Sequence, residues 1–402
     1  MKRVSVSLRD DADKKAYDSG VFKIERSLPN GDVYKTWDES SAYIITKNEV
    51  DTILDKVSNI VEMGRNAVDF LLDGEWGTLG LPLPIFEYAR NSFDDQEIEL
   101  FTRYDFAYLG NGQIKLVNID ADAPSFLVET AETQRKWVWD KFAQKAQQHK
   151  ITQINSIPEM TKSAFRQLYD MSSEGNFHIL DNETTRGKEW FSSSYIKNLA
   201  EKSGWDIGRV RLKDLSWDEK QKRWEDHAEN QIAGIYKQLP WDMLFDHMLM
   251  REIVAHSQNL ERIFEPAWKT VLASRAMLPA LHELYSRSAL ISPASLARSK
   301  KLGTDIVSAP MLRSASRNEM ALLKGRRFTS WGDELKDFRN QKSMVYRKLE
   351  VPKRFKDKNG DGQFTYISIF TVAGNIAGLG IQETKLPLLG QHSTFKPHIV
   401  ML

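Results

Sequence analysis

Residues 103–129 read RYDFAYLGNGQIKLVNIDADAPSFLVE, and the fold is decided by how this stretch is read. Residues 103–108 alternate with the period of two expected of a strand. Asn111-Gly112 follows, a dipeptide suited to a two-residue hairpin turn because both positions tolerate positive φ. Residues 114–120 alternate again. With Asn111 and Gly112 as the loop, Gly110 pairs with Gln113, Asp105 faces Asn118, and Arg103 faces Asp120. Side chains two apart on a strand share a face, so these four polar groups project from one side of the ribbon. Burying them costs several kcal/mol unless they pair or bind something. Oxygen ligands beside an arginine suit Mg2+ carrying a phosphate, the arginine gripping an anionic oxygen through charge-assisted hydrogen bonds. The alternative is a solvated polar face on an edge hairpin.

A chain of 402 residues can bury a large core, and 41% hydrophobic with 28% charged residues is the balance of an ordinary soluble globular protein. A formal charge of +1 leaves no global field to draw the chain to nucleic acid or membrane. The absence of cysteine excludes disulfides, cysteine–zinc sites and thiol nucleophiles. Residues 1–13 are charged rather than apolar, and no apolar run approaches 18 residues, so a cytoplasmic location with no membrane contact is expected.

Short strands and loops are expected over residues 17–45. Thr46-Lys47-Asn48-Glu49 is a capping box, predicting one helix that carries Val50, Ile53, Leu54, Val57, Ile60, Val61, Val68 and Leu71 inward. Pro82 and Pro84 close this region. Pro124 ends the hairpin, and residues 126–148 read as a long helix containing Trp137 and Trp139. A strand at 177–180, a helix at 188–202 ending at Gly204 and a strand at 206–215 give a β-α-β rhythm, which argues for a small parallel sheet. Residues 235–241 form a strand stopped by Pro240, then a helix to about His256. Another helix follows residues 264–269 and ends near 277–279. Residues 286–303 look like a surface connection. Residues 324–356 hold 11 basic and 4 acidic residues, with Trp331 and Tyr346 among them. They are expected to be a solvated face rather than a nucleic-acid surface. Residues 366–372 and 376–383 alternate about a Gly374-Asn375 turn.

Asp357-Lys358-Asn359-Gly360-Asp361-Gly362 matches the first six positions of a calcium-binding EF-hand loop. Position twelve is Ser368, where a bidentate Glu is needed, and both flanks look like strands. A hairpin turn accounts for it, and no calcium is expected. His392 and His398 carry no metal-ligand spacing.

From about Phe22 to the C-terminus the chain resembles the glutathionylspermidine synthase family, that is, its ATP-grasp amide-ligase domain and the stand-alone relatives of that domain. The landmarks occur in order: Arg103-Tyr-Asp105, Asp120-Ala-Asp122, residues 181–187, Lys237-Gln-Leu-Pro240-Trp241, Glu265-Pro266-Ala-Trp268, Arg275-Ala-Met-Leu-Pro279, Ala377-Gly378-Leu-Gly380-Ile-Gln-Glu383 and Pro397-His398. The resemblance implies an α+β, ATP-grasp-like synthetase fold of mixed sheets and packed helices, occupying 1–402 as one unit. Its parts would be helix-rich residues 1–100, the hairpin and a small α/β part at 101–235, and a nucleotide-grasp part at 236–402. The implied activity is an ATP- and Mg2+-dependent ligase joining a peptide-like carboxylate to an amine or polyamine through an acyl phosphate. By the resemblance Arg103 stabilises the transferring phosphoryl group, Asp105, Asn118 and Asp120 bind metal, and Ser125 lies near the acceptor carboxylate. Lys237 and Arg275 are expected to bind nucleotide.

The chain departs from the family's pattern. The family's Glu-x-Asn metal ligands are Asn118 and Asp120 here, and its nucleotide-gripping lysine is Arg275. A second lysine aligns with Ala309, and the phosphate loop at 313–318 has no glycine to permit close backbone approach. Arg313 or Arg317 could reach the phosphates instead. The arginine of the family's Gly-Ile-Arg-Glu aligns with Gln382, which removes a charge expected to stabilise the transition state. The alternative function is a catalytically degenerate relative serving as a binding or structural module. The amidase that the type enzyme carries in a separate domain, with its catalytic cysteine, is not expected.

Overall fold

The computed structural model describes all residues except 22–24, 28–32, 149, 173–175, 182–187, 246–247, 261, 313–318, 331–342, 357–359, 361 and 391–392. The hairpin is its centre. Strands Phe101–Gly110 and Gln113–Asp120 pair antiparallel, and Asn111 and Gly112 both take positive φ, 51° and 68°. Strand Gly362–Val372 pairs antiparallel with Phe101–Gly110, then Asn375–Thr384 and Thr394–Lys396 extend the same sheet. Arg354–Lys356 pairs with the start of Gly362–Val372, so the EF-hand-like segment joins two antiparallel strands, although residues 357–359 and 361 lie outside those described.

One face of this sheet is apolar and buried. Tyr104, Phe106, Tyr108, Ile114, Leu116, Ile119, Ile367, Ile369, Leu379 and Ile381 enter one large core. Helices Lys47–Val57 and Ile60–Leu72 contribute to that core through Val50, Ile53, Val68 and Leu71. These are two helices where one was expected, interrupted at Ser58 and Asn59. Thr46 caps the first as expected, accepting the Glu49 amide at 3.3 Å. The Glu49 carboxylate reaches out to the hairpin, accepting Tyr108 Oη and the Gly112 amide, and Lys56 donates to the Gly112 carbonyl at 2.7 Å. The first helix thus clamps the turn.

The ribbon is not a regular ladder. The register shifts by one residue near the turn and by one again between Asp105 and Phe106. The two irregularities offset each other, so the pairs Arg103–Asp120 and Asp105–Asn118 stand as the sequence predicts. The second bulge, at Val117, has a packing reason. Leu116 and Ile119 point into the large core, whereas Val117 packs on the opposite face with Ala107 and Tyr366.

Strands Arg262–Phe264, Gly234–Lys237, Asn176–Asp181 and Asp206–Arg211 form a four-stranded parallel sheet, as the β-α-β rhythm predicts. A five-stranded sheet runs Ala294–Ser295, Met344–Lys348, Ile306–Pro310, Met320–Leu323 and Arg326–Thr329. A terminal sheet sets His398–Met401 beside Ser41–Thr46 and Ile151–Thr152, with Lys2–Ser5 at its edge. Three other expectations change. Pro82 caps helix Leu83–Asp94 instead of closing a region. The helix expected over 126–148 begins as a π-turn at Glu129–Thr133 and continues as Gln134–Gln147, with Trp137 buried and Trp139 58% exposed. Met277 starts helix Met277–Tyr285 rather than ending one.

Candidate active site

On the sheet face opposite the large core the hairpin's polar groups meet. Arg103 Nε and Nη2 grip Asp105 at 2.8 and 2.9 Å, a bidentate fork. Arg103 Nη2 lies 3.2 Å from Asp120, and Nη1 donates to the Ser125 carbonyl and, at 2.9 Å, to Ser125 Oγ. The chain after the strand curls back so that the Ser125 amide donates to Asp120 at 3.3 Å. Phe126, at φ 66°, places its ring 5.6 Å from the Arg103 guanidinium carbon. Burial acts to lower the Arg103 pKa, but Asp105, Asp120 and Glu129 outweigh it and hold the value raised, so the guanidinium stays charged.

Asp105 is wholly buried, and its two oxygens accept five hydrogen bonds. Beyond Arg103 the donors are Asn118 Nδ2 at 2.7 Å, Ser368 Oγ at 2.7 Å and Gln382 Nε2 at 3.3 Å. Gln382 also donates to Ser368 Oγ at 2.8 Å. Ser368 faces Asp105 directly across the strand pair, and Gln382 arrives from the next strand. The structure therefore brings together Arg103, Asp105, Asn118, Asp120, Ser125 and Gln382.

Asp120, with 15% of its side chain exposed, and Asn118 offer oxygen donors of the chemistry that suits a hard cation. Asp105 held by five protein donors does not fit a cation in this arrangement, because a carboxylate has about four lone-pair sites. Among the described residues no group of three or more His, Asp and Glu side chains is placed to hold a metal.

The other expected residues sit apart. Lys237 is 2% exposed and is bound to Asp122 and, at 3.1 Å, to the Leu239 carbonyl, with Nζ 4.5 Å from the Trp241 ring centre. Asp122 also accepts the Trp241 amide. Burial pushes Asp122 up to about 7 against the pull of Lys237, and burial lowers Lys237. Lys237 thus ties the end of the hairpin to the parallel sheet. Arg275 donates to the Pro310 carbonyl at 3.0 Å and to Glu319 at 3.3 Å. Glu319 also accepts Arg347 Nη2 at 3.0 Å. Arg313 and Arg317 lie outside the described residues.

The Glu265-Pro266-Ala-Trp268 landmark has a positional role. Glu265 accepts the Leu100 and Phe101 amides at 3.0 and 2.7 Å. Buried Lys269 joins Glu265, Glu99, Thr102 and the Phe101 carbonyl. This anchors the strand that presents Arg103. Sequence reasoning missed Ser368. The signal for Ser368 was available, since it is the one small polar residue in Tyr-Ile-Ser-Ile-Phe at 366–370, an otherwise aromatic and aliphatic run.

A family model described as glutathionylspermidine synthase preATP-grasp matches residues 3–401. The chain belongs to that family. A Haemophilus influenzae protein provisionally named an acid–amine ligase is 27% identical over 379 residues, covering 92% of this chain and 93% of that one. The Escherichia coli bifunctional glutathionylspermidine synthetase/amidase is 22% identical over 392 residues, 89% of this chain. This family member spans 59% of the length of that relative. A solved structure of a glutathione synthetase-like effector from Globodera pallida superposes with a TM-score of 0.57 at 10% identity, covering 96% of both chains. The α+β synthetase-like fold expected from the sequence is the fold found. Among the described residues no helix is long and apolar enough to cross a membrane.

Proposed function

We propose that this chain is an ATP-dependent ligase that joins a peptide-like carboxylate to an amine or polyamine. The reading is carried by one observation: a buried, permanently charged Arg103 held in a fixed orientation beside two carboxylates and Ser125. A carboxylate oxygen of the substrate attacks the γ-phosphorus of ATP, the bond to ADP breaks, and an acyl phosphate forms. The amine nitrogen then attacks the acyl carbon, loses its proton, and phosphate leaves. Arg103 would steady the anionic oxygens in transit, a contact worth a few kcal/mol in a water-poor site. Ser125, whose hydroxyl Arg103 orients, would bind the acceptor carboxylate. A magnesium ion would be held by Asp120 and Asn118 and would neutralise phosphate charge. Asp105, Ser368 and Gln382 would position Arg103.

The test is release of ADP on mixing the protein with ATP, Mg2+ and a panel of peptide acids and amines. Turnover requiring both an acid and an amine supports the ligase, and Arg103→Ala should reduce it by about a hundredfold or more. ATP bound with no turnover for any pair would favour a second reading, a binding module. That reading draws on Gln382, a neutral amide engaged with Asp105 and Ser368 where a further cation was expected.

A further inference from the structure

We infer that Asn111-Gly112, the turn of the central hairpin, is a latent site of deamidation and isoaspartate formation, held intact by a clamp of Glu49 and Lys56. The inference stands apart from the nucleotide use proposed above. Asn111 is exposed to water, and the next nitrogen along the chain belongs to a residue with no Cβ to shield it. The reaction needs only water. The Gly112 nitrogen attacks Asn111 Cγ, the bond from Cγ to the side-chain nitrogen breaks, and ammonia leaves with the proton that Gly112 gives up. Water then opens the succinimide at one carbonyl or the other, giving aspartate or isoaspartate.

The glycine that makes the turn also makes it vulnerable. Both turn residues hold positive φ, 51° and 68°, as a two-residue hairpin loop demands. A Cβ on Gly112 would come 3.2 Å from Thr52 Cγ2. A bulkier residue, which would slow the attack, is disfavoured on both counts.

The fold opposes the attack. Ring closure requires the Asn111–Gly112 peptide plane to turn until its nitrogen meets Cγ. Glu49, Thr52 and Lys56, spaced along one face of helix Lys47–Val57, all bear on Gly112. Glu49 Oε1 accepts the Gly112 amide at 3.3 Å, and Lys56 Nζ donates to the Gly112 carbonyl at 2.7 Å. Glu49 is itself held by Tyr108 Oη and the Met1 amine. Gly112 is thus gripped by both its N–H and its C=O, and the group that must become the nucleophile is already engaged. Isoaspartate would route the backbone through Cβ and Cγ, adding one atom to the turn. Turn geometry sets hairpin register, and Arg103–Asp120 and Asp105–Asn118 are register pairs. The turn therefore marks covalently those copies in which the helix has let go.

The experiment is incubation of the purified protein at mildly alkaline pH, with peptide mapping by mass spectrometry to read deamidation and isoaspartate at Asn111. The same chain in guanidinium chloride supplies the unprotected rate, calibrated by its two other Asn-Gly pairs, at 30–31 and 359–360. The native rate at Asn111 should lie at least about tenfold below the unprotected one. Glu49→Ala should raise the native rate by about tenfold, and Lys56→Met should raise it severalfold. Lys56→Met carries the test if the alanine variant does not fold. A native rate equal to the unprotected one overturns the proposal, as does an unchanged rate in folded variants. A slower rate in Glu49→Ala also overturns it, since the carboxylate would then be promoting the attack. Unfolding midpoints measured alongside give the unfolded fraction of each variant. A rate that rises only in proportion to that fraction counts against the clamp, and a rise beyond it supports the clamp.

Discussion

Asp105 shows how a single residue sets the behaviour of its neighbours. Its carboxylate is satisfied from three strands, so removing any donor unbalances the rest. Ser368→Ala takes away one donor to Asp105 and one of the two acceptors of Gln382 together. A loss of about 1–3 kcal/mol in urea unfolding is expected, with a larger loss of turnover because Arg103 is no longer held. A second residue carries a pH signature. His398 is fully buried, and neither ring nitrogen has a partner among the described residues. Burial pushes its pKa down to about 3, against roughly 6.5 when unfolded. The folded value is depressed, so the stability of the neutral ring is complete above about pH 6.5 and is lost as pH falls toward 3. His398→Leu should therefore flatten the stability profile, by about 2 kcal/mol between pH 7 and pH 5, as read from urea melts at each pH. At this scale the sequence disclosed the residues that lie on the hairpin or in an ordered landmark. The role of Ser368 was missed because a lone polar residue in a strand has no local pattern to announce its partner.

Among the elements, the hairpin was legible because its turn chemistry and alternation are both local. Its bulge was legible too, though it was passed over. Leu116-Val117 places two apolar residues in succession where alternation would forbid it, and the structure sends them to opposite faces. Without the bulge, Asn118 could not face Asp105 while Leu116 faced the core. The breaks at 58–59 and at the π-turn of 129–133 were not legible, since the apolar spacing continues across both. The glycines of the 377–383 landmark belong at this scale as well. A Cβ on Gly380 would lie 2.8 Å from the Phe395 ring and 3.2 Å from Thr130 Oγ1. They let the π-turn and its neighbours lie flat on the site face of the sheet. Gly380→Val should cost about 1–3 kcal/mol and loosen Phe395, measurable as a lowered unfolding midpoint.

For the whole molecule, the parallel sheet could be foreseen from its β-α-β rhythm, and the ordered landmarks foretold the class of fold. What joins the parts could not, because pairing between residues 101–110 and 362–372 leaves no periodic trace in either stretch. If the nucleotide reading is right, ATP with Mg2+ at a hundred times its Kd should add about 2.7 kcal/mol of stability, raising the melting midpoint by a few degrees. A flat thermal scan across nucleotides would count against it. The same long-range pairing bears on how the protein is made. The strand carrying Arg103 leaves the ribosome roughly 250 residues before the one that covers its edge, an interval of tens of seconds at ordinary rates of synthesis. Through that interval the nascent hairpin displays both an apolar face and an unpaired edge, so production in cells should lean on chaperones that shield unfinished sheets.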